Sequence, residues 1–422
     1  MELFNRFILF VMLILPWAGF AQTDDHPGFN PIYDQVVKKN FFKAGELFSQ
    51  NKKNLSEEYQ YFFGAVLDNA FNKPESSNQK ILKLATLKTA LPDSLMFKIY
   101  RIKEDNCVKL YDYSGAKNAV ENTLKKYGKT LPEDEKKDLQ NNLKIWSALE
   151  NEPKQKVIIN ADTRLKMVKD AANLKNLQIK SGDDEMNFIF DTGANISTVS
   201  RSVAQRLKMK IIPADIDVQA VTGATVKADL ALCKKMSLGN IVIENAVFLV
   251  FEDAALSFPQ IKYQINGILG FPVIEALKEV QITRDDYFFV PRHETKISLP
   301  SNLAINGLSP LIYIDGKHFT FDTGATQTIL YSTFYTENKA ELEKQYQPVS
   351  IMMGGAGGTA EHEGFKIDHT FHILGKSISL KGISVLKKSI HDQTVYGNIG
   401  QDVIRQFGKM TLNFDRMFIK FD

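Results

Sequence analysis

Two hydrophobic periodicities divide the chain into a first and a second part. Between about residues 30 and 150, apolar residues recur three and four positions apart, as in the stretch 59–70, and this spacing predicts several α-helices. From about residue 157, apolar runs bounded by glycine, such as Leu177-Gln178-Ile179 and Ile241-Val242-Ile243, predict β-strands. The sequence therefore predicts an α+β multidomain protein, in which an all-α domain precedes an all-β region.

Part of the helical region resembles a tetratricopeptide repeat. The segment 113–120 has small residues where paired helices touch, and the segment 41–48 is similar. Their glycines, Gly45 and Gly115, are 70 positions apart, from 45 to 115, which is close to twice the usual repeat of about 34 residues. A plain helical bundle explains the same pattern equally well, and both interpretations stay open.

One acidic motif occurs twice in the β-rich region. Asp191-Thr192-Gly193-Ala194 and Asp322-Thr323-Gly324-Ala325 each follow an apolar run, so each Asp ends a predicted strand and the later Gly permits a sharp turn. The offset of 131 residues, from 191 to 322, is followed by two further matches at an offset of 130, which begin at residues 266 and 282. A repeated offset indicates two copies of one domain rather than a common Asp turn.

The duplicated motif resembles the pepsin and retropepsin superfamily, in which two lobes each contribute one Asp-Thr-Gly aspartate to a shared cleft. The resemblance covers about residues 157–422 and implies that Asp191 and Asp322 are the catalytic pair. It implies that the threonine hydroxyls lock the two loops together. The supporting loop residues are Thr192, Gly193, Ala194, Thr323, Gly324 and Ala325.

The same resemblance implies two mobile hairpins, called flaps, and two elements that pack beneath the catalytic loops. The packing elements are Ile268-Leu269-Gly270 and Ile399-Gly400. The candidate flap residues are Thr222, Gly223, Gly354, Gly355, Gly357 and Gly358.

The chain departs from the pepsin pattern in three respects. Neither candidate flap contains the usual tyrosine, and polar Asn398 stands where an apolar residue is usual. Ala194 and Ala325 replace the Ser or Thr that often follows Asp-Thr-Gly. These features favour a retropepsin-like protein with both lobes in one chain. Because alanine cannot donate a hydrogen bond, we expect the pKa values of both aspartates to be higher than in pepsins.

The first 21 residues have the pattern of a secretory signal peptide. Arg6 precedes an apolar run at 7–20, and the small residues Gly19 and Ala21 favour cleavage after Ala21. An uncleaved membrane anchor is the alternative, but about 14 apolar residues are short for a span of about 20. We therefore expect a periplasmic or secreted protein without a membrane anchor after cleavage. The predicted domains are a helical domain at 22–155, a first lobe at 156–295 and a second lobe at 296–422.

Charge and side-chain chemistry narrow the expected partners. The formal net charge is +3 and no basic run occurs, so nucleic acid is not expected. The His and acidic residues at 361–372 lack the spacing of a zinc protease, so neither a metal nor another cofactor is expected. Cys107 and Cys233 lie in different predicted domains, and the sequence leaves open whether they form a disulfide.

The sequence thus favours an aspartic endopeptidase that acts on a peptide or protein substrate, with a further protein partner conceivable at the helical domain. Two alternatives stay open at this stage. One is a catalytically silent peptide-binding protein with the protease fold, since a fold does not guarantee activity. The other is a helical scaffold that carries an accessory protease.

Overall fold

The computed structural model describes residues 28–89, 91–219, 225–259, 262–296, 299–355, 358–389 and 394–422. Within these residues the chain divides into two compact units. One unit comprises Gln155–Leu303 with Leu308–Asp422, and the other comprises the described residues up to Lys154 with Ala304–Gly307. The predicted signal peptide lies outside the described residues. Across the described part of the chain, no helix is long and apolar enough to span a membrane.

The first unit in the chain is helical, which confirms the prediction of an all-α region. An aromatic cluster forms part of its core, where the rings of Phe29 and Phe63 have centroids 5.1 Å apart. Local signals start individual helices: the side chain of Asn40 accepts from the Lys43 amide and that of Asp112 accepts from the Gly115 amide. The tetratricopeptide assignment stays a prediction. The described helices are α1 (Phe29–Val37), α2 (Phe41–Asn51), α3 (Glu57–Ala70), α4 (Pro74–Thr86), α5 (Asp93–Lys109), α6 (Tyr113–Tyr127) and α7 (Glu133–Leu149).

The rest of the described chain is rich in strands, as the alternating apolar runs predict. Its first half contains β1 (Lys156–Ile159), β2 (Thr163–Lys166), β3 (Val168–Lys169), β4 (Lys175–Ser181), β5 (Asp184–Phe190), β6 (Ser197–Ser200), α8 (Arg201–Arg206), β7 (Lys210–Gln219), β8 (Thr225–Leu238), β9 (Ile241–Phe251), β10 (Ser257–Phe258), β11 (Tyr263–Gln264), β12 (Gly267–Leu269), α9 (Phe271–Glu275), β13 (Glu279–Thr283) and β14 (Tyr287–Val290). Its second half contains β15 (Leu303–Asn306), β16 (Ser309–Ile314), β17 (Lys317–Phe321), β18 (Ile329–Leu330), α10 (Ser332–Gln345), β19 (Val349–Gly355), β20 (Gly358–Ile373), β21 (Lys376–Leu386), β22 (Gly397–Ile399), α11 (Gln401–Ile404), β23 (Lys409–Asn413) and β24 (Phe418–Phe421).

Each half builds a sheet of its own around the same local arrangement. Among the described strands, the first sheet has the order β1-β9-β6-β12-β5-β4-β8-β7, with β3 paired to β4, and the second has the order β15-β16-β17-β22-β18-β21-β20-β19. In the first sheet β12 lies parallel to β5 and antiparallel to β6. In the second, β22 lies parallel to β17 and antiparallel to β18. The two halves therefore repeat one topology around the two Asp-Thr-Gly-Ala motifs.

A five-stranded sheet combines strands from both halves, in the order β2-β14-β13-β23-β24. Its central pair is antiparallel, with residues 279–283 of β13 facing residues 409–413 of β23. The segment 154–166 contains β1 and β2. The charged residues Arg164 and Lys166 weaken the apolar pattern of β2. In the folded chain their cationic groups lie over the ring of Tyr287, at 4.2 and 4.7 Å from its centroid.

Two short helices lie in the first half of the β-rich region. The first of them, α8, follows β6, and the second, α9, follows the packing element Ile268-Leu269-Gly270. The hydrophobic pattern does not predict α10 in the second half. The reason is its weak apolar pattern, since only Phe334 and Leu342 of its side chains are buried.

The packing elements beneath the motifs contain glycines that have no room for a side chain. A Cβ at Gly400 would lie 2.7 Å from the carbonyl carbon of Gln327 and 2.9 Å from the carbonyl oxygen of Ala325. A Cβ at Gly270 would lie 2.7 Å from the carbonyl oxygen of Ala194. Both glycines therefore allow the chain to approach the backbone just after each motif.

We predict that Gly400→Ala lowers the free energy of unfolding of the β-rich unit by about 1 to 3 kcal/mol, because the added methyl group forces backbone atoms apart. Urea unfolding followed by far-UV circular dichroism measures the change. Gly408→Ala is the matched control, since its Cβ would meet only the Asp422 carbonyl oxygen at 3.5 Å. Equal effects of the two substitutions would contradict the packing role of Gly400.

Candidate active site

The two aspartates occupy equivalent positions at the ends of equivalent strands. Asp191 follows β5, and its amide donates a hydrogen bond to the carbonyl oxygen of Leu269 in β12 at 3.1 Å. Asp322 follows β17, and its amide donates to the carbonyl oxygen of Ile399 in β22 at 3.0 Å. The parallel strand beside each motif thus fixes where each carboxyl group emerges.

The structure brings the two carboxyl groups together. A Cβ at Gly193 would lie 2.6 Å from Cγ of Asp322, and a Cβ at Gly324 would collide in the same way with the carboxyl group of Asp191. The glycine of each motif therefore faces the aspartate of the other motif. The two carboxyl groups fit only because Gly193 and Gly324 lack side chains. Both aspartates are completely buried.

The two threonines join the loops through reciprocal hydrogen bonds. The Thr192 hydroxyl donates to the carbonyl oxygen of Phe321 at 2.7 Å and accepts from the amide of Thr323 at 3.0 Å. The Thr323 hydroxyl donates to the carbonyl oxygen of Phe190 at 2.9 Å and accepts from the amide of Thr192 at 3.0 Å. This arrangement has the form that the family resemblance implies.

Burial and mutual proximity make the pair hard to ionise. Burial raises the pKa of Asp191 well above its usual range, and the carboxylate of Asp322 together with a hydrogen bond between the two groups raises it further. Burial also raises the pKa of Asp322, while hydrogen bonds from Asp191, from Asn398 and from the amides of Gly324 and Ala325 oppose this effect. The arrangement favours one shared proton on the pair, with the remaining carboxylate ionised.

The two carboxyl groups differ in the hydrogen bonds that they receive. Oδ1 of Asp191 accepts from the amide of Gly193 at 2.8 Å, and Oδ1 of Asp322 accepts from the amide of Gly324 at 2.8 Å. Oδ2 of Asp322 also accepts from Nδ2 of Asn398 at 3.1 Å, whereas the buried Oδ2 of Asp191 accepts from no donor of the described residues. The side chain of Ala325 cannot donate to Asp322, but Asn398 supplies a side-chain donor that our expectation of raised pKa values did not include.

The second lobe contains further supporting side chains that the motif search missed. Nε2 of Gln401 donates to the carbonyl oxygen of Thr323 at 2.8 Å, and the Thr328 hydroxyl donates to Asp402 at 2.6 Å. The offset of 130 aligns Gln401 with Phe271 and Asn398 with Ile268. A polar residue opposite an apolar one in the repeat, the feature that already distinguishes Asn398, is the signal that could have found Gln401.

The candidate flaps are only partly within the described residues. Thr222, Gly223 and Gly357 lie outside them. Gly354, Gly355 and Gly358 belong to the β19–β20 hairpin, where Gly354 pairs with Thr359 and Gly355 with Gly358. The hairpin agrees with the shape of a flap, and its role in substrate binding stays a prediction.

The cysteines do not contribute to this site. Both Cys107 and Cys233 are buried and free, so they form no disulfide. Burial raises the pKa of each thiol, to about 11 for Cys107. Neither thiol therefore carries the negative charge that a nucleophilic cysteine needs at neutral pH.

We predict that Thr192→Val lowers the free energy of unfolding by about 2 to 4 kcal/mol, because two buried backbone groups lose their hydrogen-bond partner. Thr192→Ser keeps the hydroxyl and is expected to cost about 1 kcal/mol for the lost methyl group. Urea unfolding of both variants measures the difference. A serine variant as unstable as the valine variant would contradict the role of the hydroxyl.

Part of the first lobe is similar to a known protein family. Residues 177–273, which include the first motif and β12, match the family model described as aspartyl protease. No curated protein matches the chain. Basic 7S globulin from soybean is 10% identical, with a TM-score of 0.39 over 62% of this chain and 95% of that chain. A retropepsin-like aspartic protease from Rickettsia conorii is 17% identical, with a TM-score of 0.23 over 30% of this chain and 98% of that chain. Both structural similarities are distant. The match shows that residues 177–273, within the first lobe, are similar to aspartyl proteases.

Proposed function

We propose that this protein is an aspartic endopeptidase, secreted or periplasmic, that hydrolyses peptide bonds with a water molecule activated by Asp191 and Asp322. The observation that carries the proposal is the pair of buried carboxyl groups that face each other across two loops joined by Thr192 and Thr323. The signal-like sequence at 1–21 supports the location.

The chemistry requires one proton on the pair. The ionised carboxylate takes a proton from water as the water oxygen attacks the peptide carbonyl carbon, and the protonated carboxyl group donates its proton to the carbonyl oxygen. A tetrahedral diol results. The carboxyl group that took the water proton then gives it to the peptide nitrogen, and the carbon–nitrogen bond breaks. One diol hydroxyl returns its proton to the pair as the carbonyl group reforms, which releases an amine and a carboxylic acid and leaves one proton on the pair. The rigid loops hold both carboxyl groups in position throughout.

The complete burial of both carboxyl groups favours a second candidate function. A protein that binds peptides on this fold without cutting them has no need to admit water to the pair, whereas hydrolysis needs a movement that admits both a peptide and water. A peptide-library cleavage assay separates the two functions. Cleavage supports the endopeptidase, and saturable peptide binding without cleavage supports the silent protein.

We predict that Asp191→Asn and Asp322→Asn each lower kcat/KM for peptide hydrolysis by about 10³-fold or more, because each removes one half of the acid and base pair. The far-UV circular dichroism spectrum should be unchanged, since Asn has nearly the same shape as Asp. Asp285→Asn, at an exposed turn, is the matched control with activity like that of the wild type. Undiminished hydrolysis by either dyad variant would refute the proposed mechanism.

We predict a bell-shaped pH profile of kcat/KM that is centred in the weakly acidic to near-neutral range. Activity falls when rising pH removes the shared proton and when falling pH adds a second one, and burial raises the pKa of both groups.

Two serine substitutions test the origin of this pH range. A hydroxyl in Ala194→Ser favours the charged form of Asp191, and we expect the profile to move to lower pH by up to about one unit. Ala325→Ser should shift the profile less, because Asn398 already donates to Asp322. A strongly acidic optimum in the wild type, or no downward shift in Ala194→Ser, would contradict this account.

A further inference from the structure

The strand pairs beneath the two aspartates differ in polarity. Beneath Asp191, Ile189 of β5 faces Ile268 of β12. Beneath Asp322, Thr320 of β17 faces Asn398 of β22 at the equivalent positions. All four side chains are buried, and Asn398 is completely so. An apolar pair in one lobe thus corresponds to a polar pair in the other.

Hydrogen bonds fix the orientation of the Asn398 amide. The Thr320 hydroxyl lies 2.5 Å from Oδ1 of Asn398 and 3.2 Å from the carbonyl oxygen of Gly397, and Nδ2 of Asn398 donates to Oδ2 of Asp322 at 3.1 Å. The reverse orientation would set the amide oxygen against the carboxylate, where two acceptors repel each other. With Asp322 ionised, both contacts favour the orientation in which the N–H group of Asn398 faces Asp322.

A buried donor favours the charged form of the carboxyl group that it contacts. Asp322 has such a donor on Oδ2, whereas Oδ2 of Asp191 is buried and accepts from no donor of the described residues. In Ile268 the first lobe has a side chain that cannot donate a hydrogen bond. The two members of the pair therefore differ in the stability of their charged forms.

We propose that Asn398 holds the negative charge on Asp322, so that Asp322 is the base that takes the proton from water and Asp191 is the acid that donates to the peptide carbonyl. This assignment rests on the proposed endopeptidase function for its catalytic part. Its electrostatic part, the lowering of the Asp322 pKa by Asn398, is independent of that function. Asn398 is a positioning residue, since it acts through Asp322.

The other titratable groups around Asp322 are consistent with this assignment. Among the described residues, Asp191 and Tyr331 interact with it electrostatically. Burial raises the pKa of Tyr331, so its phenol is neutral throughout the pH range of interest. Burial and the Asp322 carboxylate raise the pKa of Asp191 well above its usual range, which keeps the proton on Asp191.

The first experiment replaces the polar pair of the second lobe with the pair of the first. The double variant Thr320→Ile/Asn398→Ile removes the donor and introduces the two isoleucines that the first lobe has at the equivalent positions, Ile189 and Ile268. We expect the acidic limb of the kcat/KM profile to move up by about one pH unit, because the charged form of Asp322 loses a charge-assisted hydrogen bond. Asn398→Leu, which leaves Thr320 in place, serves as a second variant. A uniform loss of activity with unmoved limbs would mean a structural role and would overturn the proposal.

The second experiment does not depend on activity. The pKa of Asp322 is measured by NMR titration in Asp191→Asn protein labelled with ¹³C at the aspartate carboxyl carbons, where Asp322 titrates without its partner. The Asp322 resonance is the one that disappears in the double variant Asp191→Asn/Asp322→Asn. Adding Asn398→Leu should raise the pKa of Asp322 by about one unit. An unchanged or lowered pKa would overturn the proposal whether or not the protein cuts peptides. A raised pKa in a protein that hydrolyses no peptide would support the effect of Asn398 and reject the proposed function instead.

Discussion

The reciprocal hydrogen bonds between Thr192 and Thr323 are the interaction on which the candidate site depends. Each hydroxyl donates to a carbonyl oxygen and accepts from an amide of the opposite loop, so four buried hydrogen bonds join the lobes at one point. Without them, four backbone groups would be buried without partners, at a cost of about 1 to 3 kcal/mol each. This connection keeps the two carboxyl groups close together. Because two neighbouring buried carboxyl groups do not both ionise easily, the pair favours one shared proton.

The electrostatics of the pair depend on differences between two otherwise equivalent lobes. Both lobes use the same parallel strand pairing beside the motif, yet the second places Asn398 and Gln401 where the first has Ile268 and Phe271. In a dimer of identical lobes, an Asn introduced beneath one aspartate would also appear beneath the other. A single chain with two copies escapes this constraint, because each copy can change alone. The asymmetry of hydrogen bonding at Asp322 is a product of that freedom.

Much of this organisation could be predicted from the sequence. Helical and strand regions differ in hydrophobic period, and the repeated offset located both aspartates, both threonines and both packing glycines. Other features depend on contacts that a sequence does not contain. Asn398 could be recognised as an exception to the repeat, but the direction of its amide depends on its contacts with Thr320 and Asp322 in the folded chain. Likewise β2 is a strand because β14 lies beside it, although its charged side chains give it a weak apolar pattern.

The mixed five-stranded sheet also determines when the pair of aspartates can come into existence. β13 pairs with β23, whose residues are made about 130 positions later, and β24 completes the sheet only near residue 421. At synthesis rates of about 5 to 20 residues per second, Asp191 waits on the order of ten seconds for Asp322 to be made. A nascent chain at that stage contains Asp191 but not Asp322 or the loop that carries it. Because the site is divided between distant segments, the pair cannot assemble before the second motif has been made.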